Sequence, residues 1–161
     1  MKFINSDICD VHCDAIVNAA NGVGYMGGLI GTFIKRKGVA ENIHYITKGK
    51  VSKDAKKYCI TKRTPFGLKA CEVFVTNAYE LPCKYIIHAV TMHYPGTKSN
   101  LIIIDTLIDR IIDTARKNKF KSIAIPLLGT GTGGLDKNEV RSLYKQKLDF
   151  INDIVVYVVE Q

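Results

Sequence analysis

Asn18-Ala-Ala-Asn21-Gly-Val-Gly-Tyr-Met-Gly-Gly28-Leu-Ile-Gly31 leaves a short apolar strand, Ala15 to Ala19, and runs towards a segment with helical spacing. Leu29, Ile30, Phe33 and Ile34 recur at i, i+1, i+4 and i+5, so the spacing predicts a helix over Gly27 to Lys37 that stops at Gly38. Glycines at positions 22, 24, 27, 28 and 31 crowd this strand-to-helix junction. Glycine lets a backbone approach a ligand closely and adopt positive φ. The free N–H groups at a helix start then face an anion, helped by the helix dipole. A glycine turn needed only for packing is the competing reading.

A second loop repeats the arrangement. Ile125-Pro-Leu-Leu-Gly129-Thr-Gly131-Thr-Gly133-Gly134-Leu-Asp136 also joins a buried-type strand to a helix. Its alternating Gly and Thr offer backbone N–H and hydroxyl donors in a row, an anion-binding nest. Two such loops on one sheet point to two phosphates, or to one pyrophosphate held from both sides. Neither loop ends in Gly-Lys-Ser/Thr, which excludes a P-loop. Gly22-x-Gly24-x-x-Gly27 matches the dinucleotide fingerprint in letters only. That motif needs an acid ending a second strand, and Glu41 to Ile46 has no strand-like run.

The remaining segments alternate. Val73 to Asn77, Tyr85 to Val90, Ser122 to Leu128 and Ile154 to Val159 read as strands. Leu101 to Lys117 carries apolar residues at helical period through Ile104, Leu107, Ile108, Ile111, Ile112 and Ala115. Asp136 opens a last helix, with Glu139 completing part of a capping box and Val140, Leu143, Tyr144 and Leu148 on its inner face. Strands that read as continuous apolar runs are covered on both faces. Alternation with helices demands crossovers and a largely parallel sheet. The expected fold is α/β, a three-layer α/β/α sandwich, as one domain over residues 1–161. Ligands in such folds sit at the carboxyl ends of the strands.

Bulk properties narrow the partners. No apolar stretch approaches the roughly 18 residues of a membrane span, and Met1 to Ala20 lacks the design of a signal peptide. The expectation is a cytoplasmic protein with no membrane partner. Cys9, Cys13, Cys59, Cys71 and Cys83 are odd in number, which favours reduced thiols. Cys9, His12 and Cys13 lack a second pair at finger-like spacing, so no metal is expected. The formal charge of +8 favours polyanions. Its lysines and arginines, including Lys35-Arg36-Lys37 and those from Lys48 to Arg63, are scattered without interleaved aromatics, as on an ordinary soluble surface.

Asp7-Ile8, Ala15-Ile-Val-Asn-Ala-Ala-Asn21, Gly27-Gly28, Leu81-Pro-Cys-Lys-Tyr-Ile-Ile-His-Ala-Val90 and Ile125-Pro-Leu-Leu-Gly-Thr-Gly131 together resemble the macro domain family. The blocks occur in family order over nearly the whole chain. The resemblance implies a central mixed sheet flanked by helices, with a cleft for ADP-ribose across its top. It implies that Asp7 accepts from the adenine amine and that the Ile8 N–H meets the ring. From the residues alone, Asp7 reads as an N-cap or turn acid. The resemblance further implies that Asn21 holds the distal ribose and serves catalysis. Asn18 is expected to stabilise the loop. Gly27, Gly28, Leu29 and Ile30 match the first phosphate loop; Leu128, Gly129, Thr130, Gly131 and Thr132 match the second.

Two departures carry weight. Met26 stands where many members have a further glycine. Ile30 stands where one hydrolase branch has an aspartate, and an apolar side chain cannot deprotonate a water. Another branch uses a lysine that no position here identifies. The resemblance implies hydrolysis of ADP-ribosyl linkages or ADP-ribose derivatives without a side-chain acid at Ile30. The alternatives are a non-catalytic ADP-ribose reader and a basic module for poly-ADP-ribose or RNA. The expected partners are ADP-ribose or an ADP-ribosylated protein or nucleic acid, met by a monomer with no cofactor. His88, inside an apolar strand, reads as a core histidine; His93 and Tyr94, in the following loop, are candidate ligand contacts.

Overall fold

A computed structural model describes residues 1–35, 37–61 and 67–160. Its strands are β1 (Lys2–Asn5), β2 (Ala15–Asn21), β3 (Val73–Asn77), β4 (Tyr85–Met92), β5 (Ser122–Pro126) and β6 (Val155–Glu160). They form one sheet in the order β1-β6-β5-β2-β4-β3. Every neighbouring pair is parallel except β3–β4, so the sheet is mixed with one antiparallel edge. β2 lies between β5 and β4 in register, with Ala15 opposite Ile123 on one side and Tyr85 on the other. The loops leaving β2 and β5 therefore emerge at the same carboxyl edge.

Both faces of the sheet are covered, as apolar strands require. Helices α4 (Leu101–Lys117) and α5 (Lys137–Leu148) pack Leu107, Ile111, Val140 and Tyr144 onto Val17, Ile87, Ile123 and Val156. On the other face α2 (Val39–Ile46) and α3 (Lys50–Thr61) bring Ile43, Val51, Ala55 and Cys59 onto Ile16, Phe74, Ile86 and Val90. Alternation along β2 sends Ala15 and Val17 to one core and Ile16 to the other. The result is a three-layer α/β/α sandwich.

Side chains cap both α4 and α5, of which the sequence suggested only the Asp136 cap. Asn100 accepts from the Ile103 N–H at the start of α4. Asp136 accepts from Asn138 and Glu139 at the start of α5.

The helix expected over Gly27 to Lys37 is corrected: only α1 (Gly28–Gly31) is helical, and Arg36 lies outside the described residues. Leu29, Ile30, Phe33 and Ile34 are 80%, 58%, 74% and 58% exposed, so their helical spacing meets no packing surface. A short helix without tertiary burial does not sustain itself, and Gly31 and Thr32 are poor propagators. The strand from Ser122 stops at Pro126, leaving Leu127 and Leu128 buried in the loop, while β2 and β4 run on to Asn21 and Met92.

Helices α2 and α3 were not anticipated. Gly38, expected as a stop, instead precedes α2 as its N-cap with φ 121°. Helix α3 is rich in lysine and buries only Val51, Ser52, Ala55 and Cys59, a narrow stripe. Glu41 belongs to α2, so no acid ends a second strand and the dinucleotide fingerprint is accidental.

Candidate functional site

A cleft of about 570 Å³ runs across the carboxyl ends of β1, β6, β5, β2 and β4. That volume suits a small-molecule ligand. Its walls come from Asn5 at the end of β1 and Ile8 beyond it, from Val159 and Glu160, from Pro126 and Leu127, from Ala19 to Asn21, and from Thr91 and Met92. Tyr25, the start of α2 at Gly38 to Glu41, Pro95 and Gly96, Gly129 to Gly133, Lys137 and Arg141 complete it.

The second glycine loop forms the floor. Its frame is rigid: the Tyr144 hydroxyl donates to the Pro126 carbonyl at 2.8 Å and accepts from the Leu128 N–H at 3.2 Å. The Thr130 hydroxyl donates to the Leu127 carbonyl at 2.8 Å, and the Leu135 N–H donates to the Gly129 carbonyl at 3.0 Å. The N–H groups of Gly131, Thr132 and Gly133 make no hydrogen bond to the described residues. Three successive unpaired amides on a concave wall form a nest for an anion. A Cβ on Gly131 would meet nothing within 4 Å, so this position opens onto free space. The loop between β4 and α4 braces the floor, with the Ser99 N–H on the Gly133 carbonyl at 3.2 Å and its hydroxyl on the Thr91 carbonyl at 3.0 Å.

The first glycine loop is organised differently. Asn21 accepts from the N–H groups of Val23 and Tyr25 through Oδ1, at 3.3 and 3.0 Å. Its Nδ2 donates to the Tyr25 carbonyl at 2.8 Å. Asn21 therefore holds the loop, the part expected of Asn18. Asn18 instead donates to His88 Nδ1 at 3.2 Å in the core. Asn21 and Tyr25 line the cleft; Gly27, Gly28, Leu29 and Ile30 do not and instead build α1 beside it. A Cβ on Gly22 would collide with the Leu68 carbonyl oxygen, which requires glycine there.

Asp7 caps the 3-10 turn Ile8–Asp10, accepting from the Cys9 N–H at 3.0 Å through Oδ1. Its Oδ2 accepts from Asn42 Nδ2 at 2.6 Å and lies 3.6 Å from Lys35 Nζ. Asp7 thus ties α2 to the turn after β1. Ile8 reaches the cleft wall, Asp7 does not, and Leu128 is buried beneath the floor.

His88 is fully buried between Asn18 and Thr76, with Phe74 stacked on it at 4.6 Å. Burial pushes its pKa down to about 3, so it stays neutral. Because the Asn18 amide donates to Nδ1, the ring proton sits on Nε2 and faces Thr76 Oγ1 at 2.9 Å. His93 accepts no role on the wall: its Nδ1 meets the Leu68 carbonyl at 2.8 Å, and its ring packs edge-on against Tyr94. The neighbouring Pro95 and Gly96 line the cleft instead. Burial raises the thiols of Cys9, Cys13, Cys59 and Cys83 well above their ordinary range, so they stay protonated. Among the described residues no group of three or more His, Cys, Asp or Glu is placed to hold a metal, and no helix is long and apolar enough to cross a membrane.

Sequence reading missed the start of α2, Pro95 and Gly96, and the pair Arg141–Glu160. Glycine followed three positions later by glutamate, Gly38 to Glu41, was an available helix-start signal. Nothing local marks the pair: Arg141 Nε and Nη2 donate to the two Glu160 oxygens at 2.9 and 2.8 Å, across 19 residues of sequence. The Arg141 guanidinium holds the Glu160 carboxyl below the usual carboxylate range.

These features agree with the comparisons to known proteins. The family model for the macro domain matches residues 17–144. A protein of Thermoplasma volcanium is 30% identical over 161 residues, covering 99% of this chain and 81% of that protein. The macrodomain of Thermus aquaticus DarG shares the fold with a TM-score of 0.80 and 24% identity, covering 99% of this chain and 97% of that one. Thermosipho africanus DarTG, solved in complex with ADP-ribose, aligns at 0.77 and 20% identity, covering 98% of this chain and 41% of that longer one. With its glycine-floored cleft at the strand ends and a family match over most of its length, the chain belongs to the macro domain family.

Proposed function

We propose that this protein binds ADP-ribose in the cleft, with the pyrophosphate on the unpaired amides of Gly131, Thr132 and Gly133. Those amides are the observation that carries the reading: they are donors without acceptors, on a rigid frame, inside a cavity of the right size. The start of α2 adds a second positive end on the wall, since no side chain among the described residues caps it. Asn21 and Tyr25 flank the distal ribose in this reading, and Ile8 flanks the base. Calorimetric titration with ADP-ribose tests it; micromolar binding is expected, and heat indistinguishable from dilution would end it.

The same site supports hydrolysis of ADP-ribosyl linkages. Ile30 is 58% exposed and lies off the cleft wall, so it takes no part in activating water. The chemistry then falls to a water polarised by the substrate's own distal phosphate, with Asn21 positioning the ribose. Release of ADP-ribose from a modified protein, from modified DNA or from O-acetyl-ADP-ribose is the expected outcome. Binding without turnover of any of the three identifies a reader, which the exposed Ile30 in place of an acid favours. Steep loss of binding with salt, on long polymers only, identifies a basic polyanion surface instead.

A further inference from the structure

One cationic side chain on the cleft wall is held in an unusual way. The guanidinium of Arg141 gives Nε and Nη2 to Glu160 at 2.9 and 2.8 Å, and Nη1 to the Asn138 side-chain oxygen at 3.2 Å. Its fork is therefore already filled by a carboxylate, in the bidentate geometry that a phosphate would otherwise take. Glu160, ionised by this contact, also balances its charge. Three of the five donors are engaged in the plane of the group, on partners from one helix and one strand. What such a guanidinium still offers a ligand is chiefly its flat face. A guanidinium face stacks on aromatic rings.

The neighbourhood fits a flat ring. This end of the cleft, at β1 and β6, carries the apolar Ile8, Val39, Ala40 and Val159 beside the polar ends of the two strands, Asn5 and Glu160. Tyr25, the one aromatic residue on the described wall, lies after β2 with the other glycine loop. We infer that Arg141, clamped by Glu160, is the stacking platform for the purine base. The inference rests on the proposed binding of ADP-ribose. Arg141 touches the ligand, and Glu160 is a positioning residue that keeps the guanidinium plane in place.

Titrate wild type, Arg141→Ala, Arg141→Lys and Glu160→Gln with ADP-ribose and with base-free ribose 5-phosphate. Arg141→Ala and Arg141→Lys should each bind ADP-ribose about tenfold more weakly, because lysine keeps the charge but has no plane. Glu160→Gln, nearly isosteric, should lose about threefold. Affinity for ribose 5-phosphate should not change in any variant, which a damaged fold would not allow. The losses should also be insensitive to salt, whereas a phosphate contact weakens as salt rises. Wild-type affinity in Arg141→Lys, or equal loss for both ligands, would show a charge on phosphate and overturn the platform. If wild type itself does not bind ADP-ribose, the reading of the cleft falls first; binding untouched by all three variants sinks the platform alone.

Discussion

The two glycine loops look alike as strings and differ as objects. In the first, Gly22 is demanded by the Leu68 carbonyl, Gly24 (φ 68°) sits against the Ala55 backbone, and Asn21 commits its Oδ1 and one Nδ2 hydrogen to the loop itself. In the second, carbonyls and hydroxyls brace the outer residues while three amides on the cleft wall find no partner among the described residues. Glycine richness has two causes, close packing of the chain against itself and exposure of its donors. The first loop is mainly a case of packing and the second of exposure.

Substitutions should separate the causes. Gly22→Val places a branched side chain into the Leu68 carbonyl, and it should cost about 3 kcal/mol or more in urea unfolding or prevent folding altogether. A fully stable variant would show that the first loop is not packed as described. Gly131→Glu should leave the melting temperature within a degree or two while weakening ADP-ribose about 100-fold by bulk and like charge. Undiminished affinity would remove the anion site from the second loop.

The network behind the first loop is open to a pH test. Asn18 on β2 is bonded to His88, whose pKa is pushed down to about 3. The unfolded chain takes up a proton near pH 6.5 and the folded chain does not, so stability is full above that value and falls as pH drops towards 3. Between pH 6.5 and 5 the loss should reach about 2 kcal/mol, and His88→Phe should flatten that slope. An unchanged slope in the variant would assign the acid sensitivity elsewhere. The smallest effect concerns Asp7. As an N-cap, Asp7→Ala should lower stability by about 1 kcal/mol. If it also abolishes the preference for ADP-ribose over its hypoxanthine counterpart, Asp7 reads the base as well, and its bond to Asn42 must open on binding.

Much of the fold was legible. Val73 to Asn77 and Leu101 to Lys117 have the bounds the pattern predicted, because each carries enough apolar periodicity to specify its own burial. The segment after Gly27 shows the opposite: a good apolar period produced one helical turn, since periodicity does not create a surface to pack on. Helix α3 was hidden for the converse reason, a stripe too narrow to stand out among lysines.

Sequence alone determined that two glycine-rich bends leave buried strands of one largely parallel sheet, because strand patterning and crossover connections follow from local apolar runs; that those two strands are neighbours came from the tertiary structure. Tertiary structure decided which amides stay unpaired, that Asp7 meets Asn42 35 residues away, and that Arg141 reaches Glu160. A hydrogen-bond partner across elements depends on register and on how helices sit upon the sheet, which depend on the whole core packing at once and on no single stretch of the chain.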